Sequence, residues 1–255
     1  MLHPDFLTRP LAHRGLHRPG IPENSMAAFR VAVAGGFGIE LDIQPAADGT
    51  PLVFHDYDLN RLTGDRGVIS ALSVAEAGRR RLLGTTEGIP TLSAVLGLVA
   101  GRVPVLIEIK DQDGGMGPGM GGLPAAVGGV VRAHLMTHPG APVAVMSFNP
   151  HAIAQLCQAT PGIAVGLTSC AFPAENWPGV PADRRAELAR LSAFDAVGAG
   201  FVSHHHHDLA NPAVGALAAR GIPVLCWTIR SRAEEAAARR HATNIIFEGY
   251  DPCAP

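Results

Sequence analysis

From residue 124 onward the chain repeats one pattern, a helix followed by a short apolar strand. Strands are predicted at 142–147, 163–168, 195–202, 223–229 and 244–249, and helices near 124–137, 150–159, 183–192, 211–220 and 231–241. Strands joined through helices run parallel, because the crossover returns the chain to the starting edge of the sheet. Three more strands, at 11–14, 39–44 and 104–110, bring the count to eight. Eight parallel staves close into a (β/α)8, or TIM, barrel of about 250 residues, and this chain has 255. The expected class is α/β, one domain over 1–255. An open doubly wound sheet is the alternative topology.

The first half breaks the repeat once. Gly38–Gln44 alternates, with Ile39, Leu41 and Ile43 on one face and Glu40, Asp42 and Gln44 on the other. Asp48-Gly49 then suits a two-residue hairpin turn, and Pro51–His55 returns as a second strand. A turn centred there sets Asp42 opposite His55, with Cβ atoms about 5 Å apart. The 51–55 strand is thus a hairpin partner of strand 2. A short insertion, approximately 56–90, separates that hairpin from strand 3; its Arg79-Arg80-Arg81 run reads as a solvated helix face. Asn24 or Ser25 caps a helix from Met26 to Ala34. Gly114–Gly122 lacks the G-K-[ST] ending of a phosphate loop and reads as a flexible segment.

In such a barrel the carboxyl ends of strands 1, 2 and 3 carry His13 and Arg14, Glu40 and Asp42, and Glu108 and Lys110. That face is where barrel enzymes build their sites. Three converging carboxylates are costly: two unit charges 4 Å apart repel by about 4 kcal/mol at an effective dielectric near 20. Either some protonate or a cation sits among them. Oxygen donors without a thiolate favour Mg²⁺, Ca²⁺ or Mn²⁺ over zinc. The competing reading is a salt-bridge network with Arg14 and Lys110, but two cations leave one anion uncompensated. His13 and His55 flank the group and supply an acid and a base at neutral pH. Arg14 and Lys110 suit phosphate oxygens. The sum is the equipment for displacement at a phosphodiester.

The expected partner is a small-molecule phosphodiester, and composition bears on the other classes. A net charge of −2, with no basic stripe, argues against nucleic acid. No apolar run approaches the roughly 18 residues that span a bilayer, so no stable membrane insertion is expected. Met1-Leu2-His3-Pro4-Asp5 has no secretory signal character. Cys157, Cys170, Cys226 and Cys253 have no metal or framework spacing and read as reduced thiols of a cytoplasmic protein.

The ordered motifs carry a resemblance. His13-Arg14-Gly15, Pro22-Glu23-Asn24-Ser25, Glu40-Leu41-Asp42, Asp48-Gly49, Val53-Phe54-His55-Asp56, Arg61-Leu62-Thr63-Gly64, Pro90-Thr91-Leu92 and Glu108-Ile109-Lys110 resemble the glycerophosphodiester phosphodiesterase family in order and spacing. Ser147-Phe148-Asn149 and Trp227-Thr228 match its later strands. The resemblance implies a barrel of the phosphatidylinositol-phospholipase-like superfamily that hydrolyses glycerophosphodiesters to glycerol phosphate and an alcohol. It implies a divalent ion, Mg²⁺ or Ca²⁺, on Glu40, Asp42 and Glu108, an acid–base pair of His13 and His55, and phosphate contacts from Arg14 and Lys110. The mechanism inferred from it has one histidine activating water or a substrate hydroxyl and the other protonating the leaving alkoxide, with His55 assigned as base and His13 as acid. Many members end on a D-G-I-I-T-D-like strand, where this chain has Asn244–Tyr250; Glu248 either takes the usual aspartate's place at the alcohol pocket or caps the barrel.

A lysophospholipase D-like or sphingomyelinase-like lipid phosphodiesterase shares this core and is the alternative activity; it predicts an apolar rim. Trp227 is placed either to stack on the substrate or to pack the barrel. His204-His205-His206-His207 reads as a solvated loop on the active-site side. Ser147 lacks a G-x-S-x-G elbow, which removes a serine hydrolase.

Overall fold

The computed structural model describes residues 1–252, and Cys253 lies outside them. Among these residues the sheet comprises β1 (Leu11–Ala12), β2 (Gly38–Pro45), β3 (Pro51–Val53), β4 (Val105–Ile109), β5 (Val143–Ser147), β6 (Ala164–Ser169), β7 (Phe201–His205), β8 (Val224–Ile229) and β9 (Asn244–Phe247). The parallel order is β1-β9-β8-β7-β6-β5-β4-β2, and β1 pairs with β2 to close the ring. β3 joins β2 antiparallel. The eight-stave barrel expected from the strand count is therefore present, and ring closure rules out the open sheet.

Alternation along each stave sorts the layers. Ile39, Leu41 and Ile43 of β2 and Val105, Ile107 and Ile109 of β4 are buried in the main core with Phe29 of the Met26–Ala34 helix and Val95 and Leu96 of the Leu92–Val99 helix. The other face of the staves points into the barrel. Its floor is apolar, with Leu11, Leu106, Met146, Phe201, Leu225 and Ile246, and Phe6 from the first helical turn packs against it. Phe201 pairs in register with Gly166, where a Cβ would lie 2.5 Å from the ring. Only glycine there admits the aromatic side chain. Above this floor the inward positions become Glu40, Asp42 and Glu108, with Asp42 and Glu108 register partners.

The outer helices form as their sequences specify. Asn149 caps Pro150–Ala159 by accepting from His151 N at 2.9 Å, with proline in the first turn. Ala152, Ile153 and Leu156 lie on one face and are fully buried. Burial of each of the two larger side chains contributes about 1.5–3 kcal/mol, and a charge at Ile153 would break the packing.

Four local expectations are corrected. The hairpin pairs Ile43 with Val53 and Pro45 with Pro51, so Phe54, not His55, lies opposite Asp42. Gly49 N–H bonds Ala46 O, Ala46 N–H bonds Thr50 O, and Gly49 alone of the turn has positive φ (82°). This is a three-residue loop closing on a left-handed glycine, not a two-residue turn, and the register moves by one. β7 starts at Phe201 instead of 195, because residues 193–198 are folded into turns that end at Gly198 (φ 70°). Gly114–Gly122 is tied down: Asp113 accepts from the N–H groups of Gly115, Gly117 and Gly119. Arg79–Arg81 follow the short Val74–Ala77 helix and do not form a helix face, and Arg80 is paired with Asp65. Residues 56–90 otherwise carry an apolar cluster with Leu59, Leu62, Ile69, Leu72 and Ala77, packed on Leu52 and Phe54.

Candidate active site

The carboxyl ends of β1, β2, β4 and β9 bring the charged residues together. Glu40, Asp42 and Glu108 are buried and offer oxygens that lie within 4.8 Å of one another. Lys110 Nζ is 2.7 Å from Glu108 Oε1 and 3.3 Å from Asp42 Oδ1. Arg14, at φ 54°, donates its backbone N–H to Glu40 Oε2 at 3.1 Å and holds Nε 3.2 Å from Asp42 Oδ2. Asn24 donates Nδ2–H to the same Asp42 oxygen at 3.0 Å. Ser25, not Asn24, caps the following helix, which frees the asparagine amide for this contact.

The charges resolve unequally. Burial opposes ionisation of Asp42, but Lys110, His55 and Arg14 outweigh it and hold this carboxyl far below the usual range. Glu40 moves the other way: burial, Asp42 and Glu108 push its carboxyl well above the usual range against the pull of Arg14. The imbalance of three anions against two cations is thus relieved at Glu40, the carboxyl pushed toward its neutral form; ionising all three would leave an excess of negative charge. A donor set of three buried carboxylates with excess negative charge fits a hard divalent ion.

Each histidine is backed by a carboxylate. His13 Nδ1 lies 2.8 Å from Glu248 Oε2, and His55 Nδ1 lies 2.6 Å from Asp56 Oδ1. The hydrogen bond with His13 holds Glu248 down to about 2, and burial opposes but does not prevent lowering of Asp56, which also accepts from Arg61. An ionised carboxylate only accepts, so each Nδ1 carries a proton and each Nε2 is the nitrogen left to take or give one. Burial pushes the His13 imidazolium below the ordinary histidine range, although Glu248 works against it. Glu23 accepts from Arg14 at 2.7 Å and from Arg61 at 2.8 Å, so a ladder of ion pairs runs from Asp56 beside His55 to Arg14 on the carboxylate cluster.

Trp227 donates Nε1–H to Ser203 O and sits edge-on to Phe148 and His205, with ring centroids 5.5 and 4.8 Å away. These contacts are packing. Glu248 lines a cavity of about 510 Å³ beside the cluster, with its Oε2 engaged by His13 and Arg230. The histidine run is not a solvated loop at its start: His204 is fully buried, between Ser169 Oγ at 2.7 Å and Asp208 Oδ2 at 3.0 Å. With Ser169 itself buried, that series has no access to a substrate. Sequence reading missed Glu23, Asn24 and Asp56 as side-chain partners. The signals were present in the Pro22–Ser25 motif and in the residue next to His55.

The profile of the glycerophosphoryl diester phosphodiesterase family matches residues 13–247. A glycerophosphodiester phosphodiesterase of Bacillus altitudinis is 37% identical over 111 residues, covering 41% of this chain and 45% of that protein. One from Caldanaerobacter subterraneus is 29% identical over 180 residues, 67% of this chain and 70% of that protein. In fold, the chain is similar to a phosphodiesterase of Oleispira antarctica solved with its product sn-glycerol-3-phosphate. The TM-score is 0.75 at 24% identity, over 95% of this chain and 93% of that one. A family match across nearly the whole barrel, on a chain whose charged residues converge at its carboxyl face, establishes that the protein belongs to the glycerophosphoryl diester phosphodiesterase family.

Proposed function

We propose that the protein hydrolyses glycerophosphodiesters to glycerol phosphate and an alcohol, with His13 and His55 as the acid–base pair. The observation that carries this reading is the pair of histidines, each locked by a carboxylate at Nδ1, beside one buried carboxylate cluster that also holds Arg14 and Lys110. Glu40, Asp42 and Glu108 would hold the divalent ion, Mg²⁺ or Ca²⁺ with Mn²⁺ a further fit, in the chain read as one catalytic unit with an insertion at 56–90. Bound there, the ion supplies Lewis-acid polarisation of a phosphoryl oxygen.

Arg14 and Lys110 orient the phosphodiester and offset the charge that builds on its oxygens. Neutral His13 takes a proton at Nε2 from the attacking oxygen, and Glu248 stabilises the imidazolium that forms. His55 delivers a proton to the leaving alkoxide, steadied by Asp56. This inverts the roles inferred from resemblance, because burial keeps His13 in the form a base requires. Asp42, Asn24 and Arg14 together fix the cluster on which the substrate is presented.

No helix among the described residues is long and apolar enough to cross a membrane. The free thiols Cys157, Cys170 and Cys226 support a reducing, cytoplasmic setting. A lysophospholipid substrate is the second reading, favoured by Tyr57, Val68 and Leu83, exposed on the segment that follows His55. The test is turnover of glycerophosphocholine, glycerophosphoethanolamine and a lysophospholipid, each with and without chelator. Chelator-sensitive release of glycerol phosphate from the first two supports the main reading; preference for the lysophospholipid transfers it to the second. No turnover of any would refute both.

A further inference from the structure

Next to His13 lies a second set of ligating atoms that hydrolysis uses only in part. Glu248 presents Oε2 2.8 Å from His13 Nδ1 and Oε1 3.9 Å from His17 Nε2. One ligand atom from each of His13, His17 and Glu248 lies within 4.8 Å of the other two. His17 Nε2 is buried and makes no hydrogen bond, an unsatisfied state that a bound ion would relieve. The placement follows from the closure of the barrel. β1 and β9 are paired neighbours, and His13 N–H bonds Phe247 O at 2.9 Å, so the segment after β1 lies against the segment after β9.

We propose that His13, His17 and Glu248 form a second cation site, for a borderline transition ion of the Zn²⁺ class. Two imidazoles and one carboxylate suit zinc and its neighbours, whereas the all-carboxylate group of Glu40, Asp42 and Glu108 suits a hard ion. Ligand bonds of about 2.0–2.2 Å in a tetrahedral site put donor atoms about 3.3–3.5 Å apart. The Oε2 and Oε1 distances at Glu248 straddle that spacing and one atom from each residue lies within 4.8 Å of the others, so side-chain shifts of about an ångström complete the set. A cavity of about 510 Å³, lined by His17, Glu248, Gly249, Tyr250 and Asp251 among others, gives the ion an entry path and room for a water as fourth ligand. Arg230, 3.2 Å from Glu248 Oε2, opposes the ion, but its side chain is 57% exposed and free to turn away.

The binding step balances simply. The ion forms a bond to His13 Nδ1, the N–H bond there breaks, and the proton is carried through solvent to Nε2, so the ligand remains a neutral imidazole. With Nδ1 on the ion and Nε2 already protonated, His13 has no lone pair left to take a proton from the attacking oxygen. A hard ion and a borderline ion therefore act in opposite senses, the first supporting turnover and the second stopping it. The inhibitory half of this inference rests on His13 as base in the proposed hydrolysis; the binding half does not.

The test uses the full chain saturated with Mg²⁺. Co²⁺ is titrated as a spectroscopic probe of four-coordinate binding, and Zn²⁺ inhibition is measured in parallel. His17→Ala and His17→Gln are expected to weaken both by about tenfold or more while leaving the Mg²⁺-supported rate near wild type. Identical Co²⁺ spectra and identical Zn²⁺ inhibition in wild type and both variants would overturn the site. A Co²⁺ signal that depends on His17 without inhibition supports the site and instead sinks the assignment of His13 as base.

Discussion

Replacing Glu248 by glutamine perturbs His13 with the least collateral change. The carboxylate accepts from His13 Nδ1 at 2.8 Å, fixes the tautomer, and stabilises the imidazolium formed during reaction. A hydrogen bond to a charged group contributes about 1.5–3 kcal/mol, which converts to a loss of about 10- to 150-fold in kcat. The pH profile gives a second readout. Glu248 raises the His13 pKa against the burial that lowers it, so its removal lowers that pKa further. The acid limb of kcat/KM, where the base becomes protonated, then moves to lower pH. Stability near neutrality should fall, because the variant loses both the charged bond from His13 and the pair with Arg230. The Glu248–Arg230 pair is solvent-exposed on the arginine side and contributes at most about 1 kcal/mol, or about 4 °C in Tm. A Glu248→Gln variant with wild-type kcat and an unmoved acid limb would refute the reasoning.

His13→Ala or His55→Ala should each lower turnover by about 10²–10⁴-fold with near-unchanged melting, checked by steady-state kinetics beside thermal scans; wild-type rates in both would remove the acid–base pair. Glu40→Gln removes the one carboxyl that burial and its neighbours disfavour ionising. It should raise the ion-free Tm by about 2–4 °C while reducing the Tm gain on adding Mg²⁺ or Ca²⁺, and a fall in the ion-free Tm would contradict this. Because Glu248 is held at about 2, below an unfolded value of about 4.3, its contribution is full above about pH 4.3 and is lost as pH falls through about 2. The Tm difference between wild type and Glu248→Gln should shrink over that window, and a constant difference would exclude the linkage. Gly166→Ala drives a Cβ to 2.5 Å from the Phe201 ring and should cost about 1–3 kcal/mol in urea unfolding, a prediction that an unchanged midpoint would defeat.

The barrel was legible because period-two alternation within strands and intervening helices leave few topologies open. The acidic cluster was legible for the same reason, since alternation on β2 and β4 turns Glu40, Asp42 and Glu108 to one face. What escaped depends on finer chemistry. Asp48-Gly49 suits both a two-residue and a three-residue turn, and only the backbone of Gly49 decides between them. The 193–200 segment is apolar enough for a strand, yet Gly198 turns it back before β7 begins. The partner of His13 lies 235 positions away, and no local pattern specifies that Glu248 meets it. Asn24 reads as a cap by residue type, but the neighbouring serine takes that role and leaves the amide to Asp42.

Calorimetric titration of Mg²⁺ or Ca²⁺ into chelator-treated protein, run beside glycerophosphodiester turnover for wild type and Glu108→Gln, reaches the central claim most directly. One hard-ion site that restores turnover in wild type, with binding and rate falling together in the variant, is the predicted result. Full turnover in excess chelator, or ion binding unaffected by Glu108→Gln, would contradict a reaction organised around the three carboxylates.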